Sequence, residues 1–293
     1  LPLLAQAPEA RLNAHPLIAR TRGGGRLNLG PALSPDGRWV AFLSERGLFD
    51  VDLWLADGRT GANPRRLLAG PAQDPHFSSL RFIASAGSFA PDGGRLALVA
   101  ERAGRDRVVV LSIPAGRVLR ERIVPEALEL SNPSWAPDGR TVVVSANHGG
   151  LSDLVELDLE TGQARYLTND AYADLMPAVS PDGRTVAFVT DRGAADLGVF
   201  RWGSYRIGLL DRGTGRIDLL PDVGGNAINP QWSPDGRSLL FISDRAGIPD
   251  LYRYDLESRQ LHRLTRVFTG VAGITELSPA LAVARSTGEV VFS

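Results

Sequence analysis

The tripeptide Pro-Asp-Gly occurs five times in this chain, each time directly before a short apolar run. The copies begin at residues 35, 91, 137, 181 and 234, so successive copies lie 44 to 56 residues apart. A tight turn that recurs at this period is typical of a fold built from repeated units. Each unit needs its neighbours to bury its apolar faces, so the repeats predict one domain rather than several.

The residues around each copy predict antiparallel strands. Ser-Pro-Asp-Gly suits a type I turn that is closed by a glycine with positive φ, and such a turn joins two strands. The strand after the turn is apolar at consecutive positions, for example at residues 186–189. In an antiparallel strand with one solvent-exposed face, apolar and polar residues alternate instead. This strand should therefore be covered on both faces.

Two further strands follow in each unit. Apolar and polar residues alternate more regularly in the third strand. The fourth strand is short and rich in arginine, as at residues 64–68. Charge on an outermost strand is a common protection of a sheet edge. Asp52, Asp153 and Asp250 directly precede third strands, and we expect them to accept backbone N–H groups and to fix the corners of the blades.

Four antiparallel strands per unit, repeated radially, predict an all-β fold, the β-propeller. We predict a six-bladed β-propeller of four-stranded antiparallel blades, with the last blade shared between the N- and C-termini. Residues 278–293 would supply its inner strands and residues 17–29 its outer ones. Five blades plus tails is the alternative. Residues 16–293 would form this single domain, and residues 1–15 a tail or linker; residues 1–7 could be the end of a secretion signal or a linker.

Composition excludes several classes of partner. The chain has 293 residues and a net charge of −1, which gives no reason to expect nucleic acid or an anionic membrane as partner. Its apolar runs are shorter than the roughly 18 residues that a membrane-spanning helix needs, so we predict no direct membrane insertion. The absence of cysteine removes disulfides, thiolate metal sites and cysteine nucleophiles.

Motifs of catalysis are missing from the sequence. It contains neither the Gly-x-Ser-x-Gly of serine hydrolases nor the His-Glu-x-x-His of zinc peptidases. The four histidines, His15, His76, His148 and His262, are far apart in sequence. We therefore predict no catalytic residue and no metal-ligating residue of a recognisable motif.

The central channel is the candidate site, because in a propeller the first strand of each blade lines it. Polar residues just ahead of the first strands are expected at the channel mouth, and Asp174 and Glu276 on equivalent rungs. These carboxylates and amides could bind a peptide's cationic groups or hold a calcium ion, the one cofactor considered. The candidates are Asn28, Glu129, Asn132, Asp174, Asn226, Asn229 and Glu276.

Two insertions form a second candidate surface. Residues 70–87 lengthen the crossing between the first two units, and residues 194–203 lengthen a loop of the fourth. Apolar side chains on long loops suggest a contact surface. The alternative is that they fold down over a blade. The residues concerned are His76, Phe77, Phe200 and Trp202.

The order Pro-x-Trp-Ser-Pro-Asp-Gly-Arg, apolar strand, Ser-Asp-Arg, Pro-Asp-Leu-Tyr strand and closing Arg-Leu-Thr, best preserved at residues 230–265, resembles the WD-like repeats of TolB-type propellers. The resemblance implies an exported six-bladed propeller that binds proteins or peptides and has no catalytic activity. Similar repeats form the propellers of prolyl-oligopeptidase-like enzymes and are fused to peptidase or outer-membrane modules. Residues 1–29 are too short for the additional N-terminal α/β domain of TolB.

Three functions remain open from the sequence. We predict a non-catalytic protein- or peptide-binding scaffold within a larger exported bacterial protein, located in the periplasm or outside the cell. The alternative is a metal-dependent, lactonase-like hydrolase with its site in the central channel. A third possibility is a spacer that holds neighbouring domains of a longer chain apart.

Overall fold

A computed structural model describes residues 14–47, 51–70, 76–81, 86–194, 197–199, 203–221 and 223–293. Within these residues the fold is all-β, apart from one short 3-10 segment at Leu197–Val199. The strands form five four-stranded antiparallel sheets and one two-stranded sheet. In the described residues, helices of the length and apolarity needed to cross a bilayer are absent.

Each four-stranded sheet is one blade, and its strands follow each other from the centre outwards in chain order. Blades 1 and 2 comprise β1 (Leu27–Leu33), β2 (Trp39–Glu45), β3 (Val51–Asp57), β4 (Arg65–Leu68), β5 (Ser88–Phe89), β6 (Arg95–Arg102), β7 (Arg105–Ser112) and β8 (Val118–Arg122). Blade 3 comprises β9 (Glu129–Trp135), β10 (Thr141–His148), β11 (Leu151–Asp158) and β12 (Ala164–Tyr166).

Blades 4 and 5 repeat the same order. They comprise β13 (Asp174–Val179), β14 (Thr185–Thr190), β15 (Arg206–Asp211), β16 (Ile217–Leu219), β17 (Ala227–Trp232), β18 (Ser238–Ser243), β19 (Asp250–Asp255) and β20 (Leu261–Arg263). The two-stranded sheet, here named the C-terminal hairpin, pairs β21 (Leu281–Val283) with β22 (Val290–Phe292).

The turns and the second strands agree with the sequence prediction. The glycine of every Pro-Asp-Gly turn has a positive φ, between 64° and 75°. The second strands are buried along most of their length; β18, for example, is buried at every position. Both faces of these strands are covered because neighbouring sheets pack against them, which explains their unbroken apolar runs.

The sheets close into a ring. Inner strands β1, β5, β9, β13, β17 and β21 contact one another in this order, and β21 also contacts β1. The C-terminal hairpin therefore fills the space between blades 5 and 1. A cluster of buried apolar residues lies at this last junction, where Leu33, Val40 and Phe42 pack with Ala284 and Val291.

The prediction of six four-stranded blades is wrong, since the described residues contain five and the hairpin has only two strands. Residues 27–29, predicted as an outer strand of a shared blade, begin the innermost strand of blade 1. Ahead of them, Ala19 exchanges backbone hydrogen bonds with Arg22 in a local turn, and Leu17 and Ile18 pack against the blade 1 cluster. Because residues 19–22 use their backbone groups in this local turn, they do not pair with β22 as the outer strand of a shared blade. The alternative of five blades with tails describes the fold better.

The aspartates predicted ahead of the third strands lie within the first three residues of these strands. They accept backbone N–H groups, as predicted. Their Oδ1 atoms accept the N–H groups of Gly70, Asp170 and Val267. These donors lie on the connections that lead to the next blade. The aspartates therefore tie each blade to the connection that leads to the next blade, because a buried carboxylate needs such donors. The three are Asp52, Asp153 and Asp250.

Candidate binding site in the central channel

The inner strands enclose a small cavity, here called the channel cavity. It offers about 70 Å³ to the centres of water-sized molecules, which is room for several waters. Prolines, alanines and apolar side chains form much of its wall. The polar side chains of the wall belong to Ser88, Asn132, Ser134, Asn229, Gln231 and Arg285.

A bulge of the inner strand recurs beside this cavity. In four blades the residue before a proline has a φ of about 50° and coincides with a register shift against the second strand. Positive φ is unfavourable for side chains other than glycine and asparagine, so Met176 is the strained member of the set. The four residues are Gly30, Asn132, Met176 and Asn229.

Asn132 and Asn229 use their side chains to join neighbouring inner strands. The Oδ1 atom of Asn229 accepts the backbone N–H groups of Ala280 and Leu281, each at 2.8 Å, and so ties blade 5 to the C-terminal hairpin. The Oδ1 atom of Asn132 accepts the N–H group of Ala86 at 3.2 Å. Both predicted channel residues therefore lie in the channel, where they brace the ring.

Arg285 closes the channel at the end where the Pro-Asp-Gly turns lie. It extends from the C-terminal hairpin to blade 3 on the opposite side of the ring and donates to the carbonyl oxygen of Trp135 at 2.8 Å and to Ser134 Oγ at 3.3 Å. Both acceptors are neutral, and the described residues provide it with no carboxylate partner. Burial lowers the pKa of the Arg285 guanidinium to about 10.

The sequence analysis missed Arg285, although a signal was present. The last pairs before the turns are Val283 with Val290 in the hairpin and Leu33 with Val40 in blade 1, so both turns have the same length. Ala284 donates its N–H group to Glu289, as Ser34 does to Trp39, but the glycine that closes the turn comes one residue later in the hairpin. Arg285 therefore occupies the position of the proline in the five other turns. Aligning the hairpin sequence with the five repeats would have revealed this signal, because the hairpin has an arginine where the repeats have the turn proline.

The other predicted mouth residues do not converge on the cavity. Asn28 bonds to the backbone of Gly25 and accepts from Ser44 Oγ, so it braces blade 1. Glu129 is exposed. Asn226 donates from Nδ2 to Glu276 and to Asp244, which joins blade 5 to the connection that leads into the hairpin.

Asp174 and Glu276 do not occupy equivalent rungs, contrary to the prediction. Asp174 is the first residue of β13 and is completely buried, whereas Glu276 is exposed on the connection before β21. The Oδ1 atom of Asp174 accepts hydrogen bonds from Thr190 and Arg192. The hairpin lacks the preceding strand residues, so spacing from its proline does not transfer between the two segments.

Residues 76–81 of the first insertion fold onto the propeller. Phe77 is only 1% exposed and belongs to the apolar cluster between blades 1 and 2, which agrees with the alternative that the loop covers a blade. His76 lies above it, and its Nε2 atom is 2.7 Å from Glu121 Oε1. Phe200 and Trp202 of the second insertion lie outside the described residues.

Comparison with known proteins shows which family part of the chain is similar to. Residues 86–201 match the TolB beta propeller domain. The chain is similar to the Tol-Pal system protein TolB of Francisella tularensis subsp. tularensis, with 33% identity over 130 residues. These residues are 44% of this chain and 28% of that protein, so the match spans less than a third of the relative's length.

Solved structures share the fold. The putative TolB from Agrobacterium tumefaciens superposes with a TM-score of 0.69 over 90% of this chain and 88% of that one, at 20% identity. TolB from Acinetobacter baumannii superposes with a TM-score of 0.64 over 80% of this chain and 53% of that one, at 19% identity. The repeat sequence, the sheets around a channel and these matches agree, and the chain therefore contains a TolB-type β-propeller module.

Proposed function

We propose that this propeller is a non-catalytic module that binds a protein or peptide by taking up one of its carboxylate groups in the channel cavity. The observation that carries the proposal is Arg285, a cation that meets only neutral acceptors. Within the part of the chain that the structure describes, the channel wall contains no other charged side chain. Arg285 is partly buried, and a cation that is shielded from water without a counter-charge is costly. A ligand carboxylate would supply that charge.

Arg285 has hydrogen-bonding capacity for such a ligand. A guanidinium carries five N–H donors in a planar fork, and two hydrogen bonds to blade 3 fix its orientation. A carboxylate can be bound by such a fork through two parallel bonds. Hydrogen bonds between charged groups contribute about 1.5–3 kcal/mol each.

The size of the cavity limits what can enter. A cavity of this volume fits an aspartate or glutamate side chain, or the carboxyl end of a chain, but not a peptide threaded through the ring. The rest of the ligand would lie over the rim. This is the arrangement of a binding module with one anchoring group in a pocket and a wider polar surround.

The relative's name supports a protein partner without identifying it. Francisella TolB is named as a component of the Tol-Pal system, and this chain covers a small part of its length. An exported location, periplasmic or extracellular, and fusion to peptidase or outer-membrane modules belong to the same proposal. Neither is needed for the channel to bind a carboxylate.

The lactonase-like alternative requires several oxygen ligands that converge on a metal ion in the channel. Among the described residues, the wall of the channel cavity contains no carboxylate. Its amide oxygens at Asn132 and Asn229 already accept backbone N–H groups. A calcium ion in the channel thus stays a prediction with little support from these donors, and the binding function is favoured.

A peptide selection tests the proposal. The purified domain is used to select from a library of short peptides that carry free carboxyl ends, and the affinities of enriched peptides are measured by fluorescence polarisation. We expect enrichment of peptides with an acidic or terminal carboxylate. Arg285→Gln should weaken their binding by about 10- to 100-fold, the equivalent of one charge-assisted hydrogen bond.

Arg216→Gln is the matched control, because Arg216 is exposed and pairs with Asp218 on the surface. It should leave the affinities unchanged. Equal binding by wild type and Arg285→Gln would refute the role of the channel. Failure to enrich any peptide, together with hydrolysis of a lactone or ester, would favour the enzyme instead.

A further inference from the structure

Blades 1 and 5 share an ion pair that blade 3 lacks. In blades 1 and 5, the aspartate at the start of the third strand lies beside an arginine of the fourth strand. The fourth-strand residue is defined by register, because it pairs with the residue two positions after the aspartate. The three pairs are Trp54 with Arg66, Tyr252 with Arg263 and, in blade 3, Val155 with Tyr166.

Tyrosine at position 166 leaves the aspartate of blade 3 without its arginine. Asp153 is completely buried, and its Oδ1 atom accepts the N–H group of Asp170 at 3.3 Å. Its Oδ2 atom is buried and has no hydrogen-bond partner. The nearest basic atom is His148 Nδ1, at 3.8 Å. A buried carboxylate oxygen without a partner is costly and rare.

Asp174, which lies close to Asp153, is a second residue that differs from its equivalents in blades 1 and 5. It is the first residue of β13 and pairs with Thr190 of the second strand. The corresponding pairs in blades 1 and 5 are Asn28 with Ser44 and Ala227 with Ser243, so the equivalent position is uncharged there. Asp174 is also completely buried, and its Oδ2 atom has no hydrogen-bond partner.

The two departures meet where blade 3 leads into blade 4. One oxygen each from Asp153, Asp170 and Asp174 lies within 4.8 Å of the others. Arg192 forms ion pairs with Asp170 and Asp174 but not with Asp153. Three carboxylates therefore face one guanidinium, and the buried Oδ2 atoms of Asp153 and Asp174 lack a hydrogen-bond partner within normal distance.

We propose that Asp153, Asp170 and Asp174 bind a calcium ion at the junction of blades 3 and 4. Oxygen ligands suit hard cations, and Ca²⁺ bonds of about 2.3–2.6 Å place opposite ligands about 4.6–5.2 Å apart. Separations of up to 4.8 Å fit this range. Mg²⁺, with bonds of about 2.0–2.1 Å, would require the oxygens to move closer.

The site has an entry path and a structural consequence. Asp170 is exposed and lies next to the two buried aspartates, so an ion could reach them from solvent past this residue. The ion would do in blade 3 what arginine does in blades 1 and 5, namely neutralise the buried aspartate beside the crossing to the next blade. This inference is independent of the channel and of the proposed binding function.

Calorimetry tests the inference on the whole chain. Protein treated with a chelator is titrated with CaCl₂, and in parallel with MgCl₂, and its Tm is recorded across the same titrations. We expect one Ca²⁺ site per chain, a Tm that rises with Ca²⁺ concentration, and weaker binding of Mg²⁺.

Tyr166→Arg is the decisive variant, because it restores the residue of the sister blades. It should fold, keep a Tm close to that of the Ca²⁺-loaded protein, and show neither binding nor a Tm rise with CaCl₂. Asp153→Asn should also lose the Ca²⁺ response, which provides a second test if Tyr166→Arg does not fold. Asp218→Asn removes an exposed carboxylate of a surface ion pair and should respond like wild type.

Two outcomes would overturn the inference. One is the absence of Ca²⁺ binding to the wild-type chain. The other is unchanged Ca²⁺ binding in Tyr166→Arg and Asp153→Asn, which would place the ion elsewhere.

Discussion

Gly236 closes its Pro-Asp-Gly turn with a φ of +69°, a conformation that costs little for glycine and more for residues with a side chain. The other four turn glycines behave alike. The turn aspartates complement them: Asp235 Oδ1 accepts from Ser233 Oγ at 2.6 Å and from the N–H group of Arg237 at 3.0 Å. Backbone conformation and one carboxylate thus define each turn locally.

Gly236→Val should lower the free energy of unfolding by about 1–3 kcal/mol, because a β-branched residue is forced into positive φ. Urea denaturation measures the loss. Gly236→Asn is the control, since asparagine tolerates this conformation, and it should lose clearly less. Equal stability of the valine variant and wild type would show that the turn has another conformation in solution.

At the level of the blade, cross-strand pairs decide which side chains fit. Gly208 of β15 lies directly opposite Phe188 of β14. A side-chain carbon at Gly208 would lie 2.6 Å from the Phe188 ring, which is completely buried. The glycine is therefore required by packing, since Gly208 does not have a positive φ.

Gly208→Ala should destabilise the protein by about 1–3 kcal/mol, the usual effect of overpacking a filled core. Gly213→Ala is the matched control, because Gly213 is exposed in the next turn and has no positive φ. It should change stability by less than about 0.5 kcal/mol. Thermal unfolding of both variants compares them. A similar small effect in both would mean that the Phe188 ring can move aside.

Across the whole molecule, the repeated turns predict how stability depends on pH. The hydrogen bond from a serine hydroxyl lowers the pKa of the turn aspartates Asp36, Asp182 and Asp235. A carboxyl group with a lower pKa in the folded state stabilises the fold above its unfolded pKa of about 3.9. That contribution is lost as the pH falls towards the folded value.

We expect Tm to change little between about pH 7 and 5 and to fall steeply below about pH 4. Asp182→Asn should reduce the steepness of this acid decline, because one of the repeated contributions is removed. Asp218→Asn, in an exposed ion pair, should leave the profile unchanged. An Asp182→Asn profile parallel to that of wild type would show that this turn does not contribute.

The ring as a whole explains which sequence predictions failed. Turn glycines, buried second strands and capping aspartates follow from residues close together in the chain, and they could be predicted. Blade number could not, because it depends on whether Leu17 and Ile18 extend along β22 or pack against the core. Equivalence of Asp174 and Glu276 failed for the same reason, since the hairpin does not repeat the full blade.

The sequence alone determined the repeated unit: a turn, four strands and a domain in which each unit covers the next. These features depend on local backbone conformation and on apolar patterning, both of which can be read from neighbouring residues. Only the tertiary structure decided where the ring closes, and it brought Arg285 to Trp135 and Asp153 to Asp174. Closing the ring brings together residues that are far apart in the chain. The environment of the Arg285 guanidinium, and the grouping of the Asp153 and Asp174 carboxylates, are therefore visible only in the assembled blades.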